Sequence, residues 1–137
     1  MTTRRAATLL TAVAVAGLVA CSNRQASPNR EGYPGAATAS VVGGVQQITL
    51  TVDNGFRFDP STITVHPGTV KVTLVHKGTG APHDFSVTNF PADNVPLARA
   101  GATTSATFTT PSPGSYKFVC TIHVAQGMTG TLVVLPS

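Results

Sequence analysis

Short segments in which apolar and polar residues alternate are the feature that most restricts the fold of this chain. QITLTV at 47–52 places three aliphatic side chains on one face, and VKVTLV at 70–75 repeats the pattern. A period of two is that of a half-buried strand. Turn sequences such as DNG at 53–55 end these segments. The pattern therefore predicts strands rather than helices.

Five more segments of the same kind follow one another along the rest of the chain. They are STITV at 61–65, DFSV at 84–87, SATFTT at 105–110, SYKFVC at 115–120 and GTLVVL at 130–135. The 13 glycines and 10 prolines suit short strands joined by turns. Residues 89–101 contain two prolines and are predicted as a long loop. We expect an all-β fold, an antiparallel Greek-key β-sandwich of seven to eight strands over residues 45–137.

The first twenty residues are predicted to be a signal peptide rather than part of this fold. Arg4 and Arg5 precede AATLLTAVAVAGLVA, an apolar run that ends in small residues. A positive segment followed by such a run is typical of secretory signals, and the run is short for a membrane span. The arginine pair leaves export by the general or the twin-arginine route open.

Residues 18–21, LVAC, resemble the lipobox of bacterial lipoproteins. That resemblance implies cleavage before Cys21, which would carry fatty acyl chains such as palmitate and hold the protein on the outer face of a membrane. Residues 22–44 are small and polar and are predicted to be a flexible linker. In the alternative, the protein is secreted and Cys21 pairs with Cys120.

The stretch CTIHVAQGM at 120–128 holds Cys120, His123 and Met128. Two imidazoles, one thiolate and a weak axial thioether are the ligands of blue-copper electron-transfer sites, and this stretch supplies three of those four. His66, His76 and His83 are the candidates for the missing imidazole. The first two are expected at solvent-exposed turns or strand ends, so His83, which begins a strand after a proline, is the preferred ligand.

The sequence around these residues resembles the plastocyanin-like cupredoxins, the small blue copper proteins. APHDFSV, PGSYKFVCTIHVAQGM and FRFDPSTITVHPGTV carry the likeness, which spans nearly all of residues 45–137. The resemblance implies one type 1 copper ion held by His83, Cys120, His123 and Met128. A thioether is a poor ligand for structural zinc, which disfavours a zinc site, and the sequence lacks the Cys-x-x-Cys pair of a thioredoxin-like redox site.

Around the metal ligands, the resemblance implies two supporting features. Asp84 stands where the family more often has asparagine, and we expect it to accept a hydrogen bond from the Thr121 N–H or hydroxyl. His123 is expected to present its edge to solvent. The apolar rim around it would suit brief docking of redox partners and consists of Pro82, Val124, Ala125 and Gly127.

These observations favour a monomeric one-electron carrier, lipid-anchored to a cell membrane and facing the periplasm or the exterior, and not an enzyme. The alternatives are a copper-binding lipoprotein for metal delivery or tolerance, and a sandwich of this shape without metal. The formal charge of +4 comes without a cluster of basic residues, which disfavours nucleic-acid binding.

Overall fold

A computed structural model of the protein describes residues 35–137. Within that range the chain forms eleven strands and a single 3-10 turn, Val124–Gln126. The strands are β1 Ala36–Thr38, β2 Ser40–Val42, β3 Val45–Val52, β4 Phe58–Asp59, β5 Thr62–Val65, β6 Thr69–His76, β7 His83–Val87, β8 Phe90–Ala98, β9 Thr103–Thr109, β10 Gly114–Val119 and β11 Thr129–Val134. The prediction of an all-β fold is confirmed.

The strands form two sheets. One has the order β1-β5-β11-β10-β7-β8, and the other has the order β2-β3-β6-β9 with β4 paired to β3. The sheets are mixed rather than antiparallel, because β3 runs parallel to β6, and β5 runs parallel to both β1 and β11. The expectation of a purely antiparallel sandwich is therefore wrong, while the sandwich itself is as predicted.

Two additional strands lie in the segment that the sequence analysis assigned to the linker. Residues 36–38 pair with β5, and residues 40–42 pair with β3, so the folded part begins before the predicted boundary at residue 45. Only small side chains, Ala37 and Ala39, pack against the core here. The segment therefore lacks the strong apolar alternation that would have marked it as strand. The signal peptide, Cys21 and linker residues 22–34 lie outside the described residues.

Strand β8 replaces the long loop that was predicted for residues 89–101. It is the outermost strand of its sheet and pairs with β7 through shifted registers. Pro91 and Pro96 are tolerated there because an edge strand needs fewer backbone donors than a central one. Val95 and Ala98 are buried, but the intervening prolines and bulges hide the period of two from a reading of the sequence.

The core next to the predicted copper ligands is aromatic. The rings of Phe58, Phe85 and Phe118 are fully buried, and their centroids lie 4.7–6.3 Å apart. Phe85 follows His83 by two positions, and Phe118 precedes Cys120 by two positions. Because residues two apart in a strand share a face, both ligands emerge on the side of the strand that these rings anchor.

Among residues 35–137, no helix has the length and apolar character needed to cross a membrane.

Gly130 lies where two strands and the aromatic core meet. A β-carbon on Gly130 would overlap the Phe118 ring and the Ser61 carbonyl oxygen. The same region is tied down by a 2.8 Å hydrogen bond from the Thr131 N–H to the Ser61 carbonyl. Strand β11 therefore approaches β5 and β10 at a distance that only glycine allows at this position.

Replacing Gly130 by alanine should lower the free energy of unfolding by about 1–3 kcal/mol, because the added methyl forces the Phe118 ring or the backbone to shift. Denaturant unfolding of the copper-free protein measures this change. Ser105→Thr is the control, because it adds one methyl at an exposed position of β9. Equal stability of the Gly130→Ala and control variants would contradict the close packing described here.

Candidate metal centre

The four predicted copper ligands lie at the ends of neighbouring strands of one sheet or in the loop that joins two of them. His83 is the first residue of β7, Cys120 directly follows β10, and Met128 directly precedes β11. His123 is the N-cap of the 3-10 turn between Cys120 and Met128. Since β7, β10 and β11 are adjacent, residues far apart in the sequence meet at one end of the sandwich.

The loop that carries three of these residues is closed by its own backbone. The Cys120 N–H donates to the Met128 carbonyl at 3.1 Å, and the Met128 N–H donates to the His123 carbonyl at 3.2 Å. The His123 N–H in turn donates to the Cys120 carbonyl at 3.2 Å. Gly127 adopts a left-handed conformation with φ of 82°, which returns the chain to β11. The predicted turn immediately after Cys120 and the return at a glycine are both present.

Three donor atoms converge at this loop, two from the loop itself and one from His83 of β7. The Cys120 Sγ lies 3.4 Å from the His123 Nδ1 and 3.9 Å from the His83 Nδ1, and the two nitrogens are 3.1 Å apart. A point equidistant from the three atoms lies about 2.0 Å from each, which is near the bond lengths that imidazole and thiolate make to a first-row metal ion. All three residues are buried. The geometry therefore fits one metal ion in a trigonal plane.

The chemistry of the donor set selects among metals. Met128 is fully buried, and its backbone makes hydrogen bonds with the backbones of Cys120 and His123. The loop that carries the thiol therefore also carries a thioether. Thiolate and thioether suit Cu(I), and imidazole suits both oxidation states of copper. Cys120 is a free thiol among the described residues. The residues present fit a single type 1 copper ion.

Burial acts on His83 and Cys120 in opposite directions. Burial, and then the neighbouring His123 and His76 rings, lower the pKa of His83. A hydrogen bond with the Asp53 backbone acts in the opposite direction and raises the pKa of His83, but the lowering effects are larger. Burial raises the pKa of the Cys120 thiol. Without metal, His83 therefore favours the neutral imidazole and Cys120 the protonated thiol.

Asp84 ties the two ligand-bearing segments together as expected. One carboxylate oxygen accepts the Thr121 N–H at 2.6 Å, and the other accepts the Thr121 hydroxyl. Asp84 follows His83, and Thr121 follows Cys120, so this double hydrogen bond fixes the start of β7 against the end of β10. It also holds a carboxylate next to the metal ligands.

Three neighbours of the centre were missed or misplaced by the sequence analysis. Phe56 packs against His123 and His83, with ring centroids 4.6 and 6.1 Å apart. His76 was expected in solvent but is only 1% exposed, and its ring stacks on His83. Ile122 is 49% exposed beside His123. None of the three carries a local signal, because turn and strand-end positions do not reveal what packs across the sandwich.

The outer surface of the centre is apolar. His123 is 8% exposed, so only a small part of it reaches the surface. Of the predicted rim, Val124, Ala125 and Gly127 are exposed and Pro82 is partly buried. Ile122 extends this rim. His66, by contrast, is exposed as expected and is absent from the cluster of donor atoms.

Comparison with known families identifies the group to which the chain belongs. The model of the cupredoxin-like domain matches residues 11–134, which is most of the chain. The chain belongs to the cupredoxin-like family. Its relatives include Auracyanin-B of Chloroflexus aurantiacus, which is 48% identical over 42 residues. That match covers 29% of this chain and 18% of the relative, so the chain spans less than a fifth of that relative's length.

Solved structures show the same cupredoxin architecture over longer stretches. Dithionite-reduced auracyanin from the photosynthetic bacterium Roseiflexus castenholzii is 25% identical, with a TM-score of 0.59 over 66% of this chain and 97% of that one. Auracyanin A of Chloroflexus aurantiacus, described as a "blue" copper protein, is 24% identical, with a TM-score of 0.58 over 66% and 99% of the two chains. At 24% identity, the similarity to auracyanin A shows a shared fold only.

Replacing Asp84 by asparagine should raise the reduction potential of the copper form, because a negative charge near the ligands favours Cu(II). We expect a rise of roughly 50 mV, since an interaction of about 1 kcal/mol corresponds to that shift for one electron. Asp59→Asn removes the same charge from β4 and serves as the control. Voltammetry measures both variants, and an unchanged potential in Asp84→Asn would refute the electrostatic role.

The apparent affinity for copper should rise with pH across the neutral range. The raised pKa of Cys120 means that the metal-free thiol is protonated and must lose its proton on binding, whereas the lowered pKa of His83 leaves that ligand ready. One released proton corresponds to about a tenfold gain in affinity per pH unit. Competition titrations with a chelator at several pH values measure the slope, and a flat profile would contradict this assignment.

Proposed function

We propose that this cupredoxin is a one-electron carrier that works through a single type 1 copper ion bound by His83, Cys120, His123 and Met128. The observation that carries the proposal is the buried convergence of two imidazole nitrogens and one thiol sulfur, all within 4.8 Å of one another. When bound, copper supplies a Cu(II)/Cu(I) couple whose two states both accept these ligands.

The chain's own residues would hold that site nearly constant during electron transfer. The hydrogen bonds within the 120–128 loop fix the spacing of three ligands, and the Asp84–Thr121 pair fixes the fourth ligand's strand against them. The aromatic cluster below and the buried faces of His83 and Cys120 exclude water. A preorganised, dry site needs little rearrangement when its charge changes, which is the property that an electron carrier requires.

The apolar surface around His123 is the route by which we expect electrons to enter and leave. Ile122 and Val124 are 49% and 45% exposed and flank this ligand in the sequence. A small apolar patch suits a transient encounter, in which a redox partner approaches and departs quickly. The partners are therefore proteins that exchange electrons. No catalysed reaction is proposed for the chain, which we expect to act as a monomer.

Copper delivery is the second candidate function. Metal exchange calls for accessible ligands, yet Met128 is fully buried and is the only methionine of the chain besides Met1. Cys120 and His83 are also fully buried, which makes them inaccessible to a protein that would receive the metal. These observations favour electron transfer over delivery. Tethering to a membrane through a lipidated Cys21, outside the described residues, is proposed on the sequence alone.

The purified protein with one equivalent of Cu(II) should be intensely blue and should show the narrow copper hyperfine splitting of a type 1 site in EPR spectra. Cys120→Ser should lose the colour, because the thiolate produces it, whereas His66→Gln should keep it. Dithionite should bleach the protein, and reoxidation should restore the spectrum. A colourless protein with copper bound would overturn the proposal.

The rates of electron exchange and of copper release distinguish an electron carrier from a copper-delivery protein. In mixtures of reduced and oxidised protein, NMR line broadening measures the electron self-exchange rate, and a chelator competition measures the release of Cu(I). A carrier exchanges electrons fast and releases copper slowly. Fast release of Cu(I) together with slow self-exchange would favour the delivery function instead.

A further inference from the structure

A third histidine lies beside the centre without being one of its ligands. His76 is the last residue of β6, is 1% exposed, and stacks its ring on His83 with centroids 4.8 Å apart and planes inclined by 28°. Its Nε2 lies 2.8 Å from the carbonyl oxygen of Ala81, which stands two residues before His83. His76 therefore contacts both the ring of His83 and the loop that leads to it.

The hydrogen bond to Ala81 determines which nitrogen of His76 carries the proton. A carbonyl oxygen only accepts, so Nε2 must donate, and Nδ1 is left as a buried acceptor with no partner. An unpaired buried acceptor is unfavourable, and an apolar side chain would fill the space without that penalty. The imidazole therefore offers something else at this position: a flat face for His83 combined with a donor for the loop.

The surroundings of His76 leave its ring little freedom. Its backbone N–H donates to the Ala102 carbonyl at 2.9 Å, and its carbonyl accepts the Gly101 N–H at 3.1 Å. A β-carbon on Gly78 would lie 3.0 Å from the His76 Cε1, so the β6–β7 loop closes tightly over the ring. The sheet, the loop and the Ala81 hydrogen bond together fix the plane of the His76 imidazole.

We propose that His76 is a positioning residue whose ring face sets the plane of the His83 imidazole, so that His83 Nδ1 points toward Cys120 Sγ and His123 Nδ1 before any metal binds. The inference rests on the proposed copper site. Groups that orient a metal-binding histidine usually do so by a hydrogen bond to its second nitrogen. The Asp53 backbone provides such a hydrogen bond to the His83 ring, and the stacked His76 ring constrains the plane of that imidazole from its face.

The test compares substitutions that keep or remove the flat ring. His76→Phe keeps an aromatic face, whereas His76→Gln and His76→Leu remove it, and Gln alone keeps a possible donor for Ala81. His66→Gln is the matched control at the exposed histidine. NMR of the metal-free protein measures the order of the His83 side chain. Chelator competition measures the Cu(II) affinity, and EPR reports the geometry of the bound ion.

His76→Gln and His76→Leu should let the His83 ring reorient in the metal-free protein, weaken Cu(II) binding by about tenfold or more and alter the EPR spectrum. His76→Phe and His66→Gln should stay close to the unsubstituted protein. If His76→Gln does not fold, the comparison of His76→Phe with His76→Leu still tests the proposal. An ordered His83 ring in both Gln and Leu variants, or a Phe variant as impaired as Leu, would overturn the proposal.

The two proposals fail in different ways. Absence of a blue copper form in the unsubstituted protein would overturn the electron-carrier function. The order of the His83 ring in the metal-free variants would still show whether His76 sets its plane.

Discussion

Closure of the 120–128 loop on itself is the interaction on which the rest of the centre depends. The bond between the Cys120 N–H and the Met128 carbonyl joins the end of β10 to the start of β11, so two paired strands bring a thiol and a thioether into register. His123 is then held inside the loop by both of these residues. Only His83 comes from outside the loop. It lies at the start of the adjacent β7, which the Asp84–Thr121 hydrogen bonds hold against the loop.

Much of this arrangement could be predicted from the sequence, for identifiable reasons. Strands β3 and β6 have an uninterrupted period of two, which indicates one buried face and one partly exposed face. The spacing of Cys120, His123 and Met128 is local, so the sequence displays it directly. What escaped prediction is non-local: β1 is stabilised by pairing rather than by apolar side chains, and β8 contains prolines that its edge position tolerates. His76 was misplaced because nothing near it in sequence shows that His83 folds back over it.

The metal-free centre has an electrostatic character that follows from its burial. Two imidazoles and a thiol share a small space with little access to water, and burial disfavours the charged form of both His83 and Cys120. Neutral His83 and Cys120 side chains need no cation to compensate them inside the folded protein. The same sandwich can therefore form first and accept its metal afterwards, with Asp84 as the nearby negative charge that is already paired with hydrogen-bond donors.

The edge strand β8 has a consequence for the behaviour of the protein in a crowded compartment. An open sheet edge invites strands of other molecules to add to it, which is a common start of aggregation. Pro91 and Pro96 lack the N–H groups that such addition needs, and register shifts interrupt the pairing of β8 with β7. This border of the sheet is therefore a poor template for further chains, which helps individual molecules to remain dispersed at high local density.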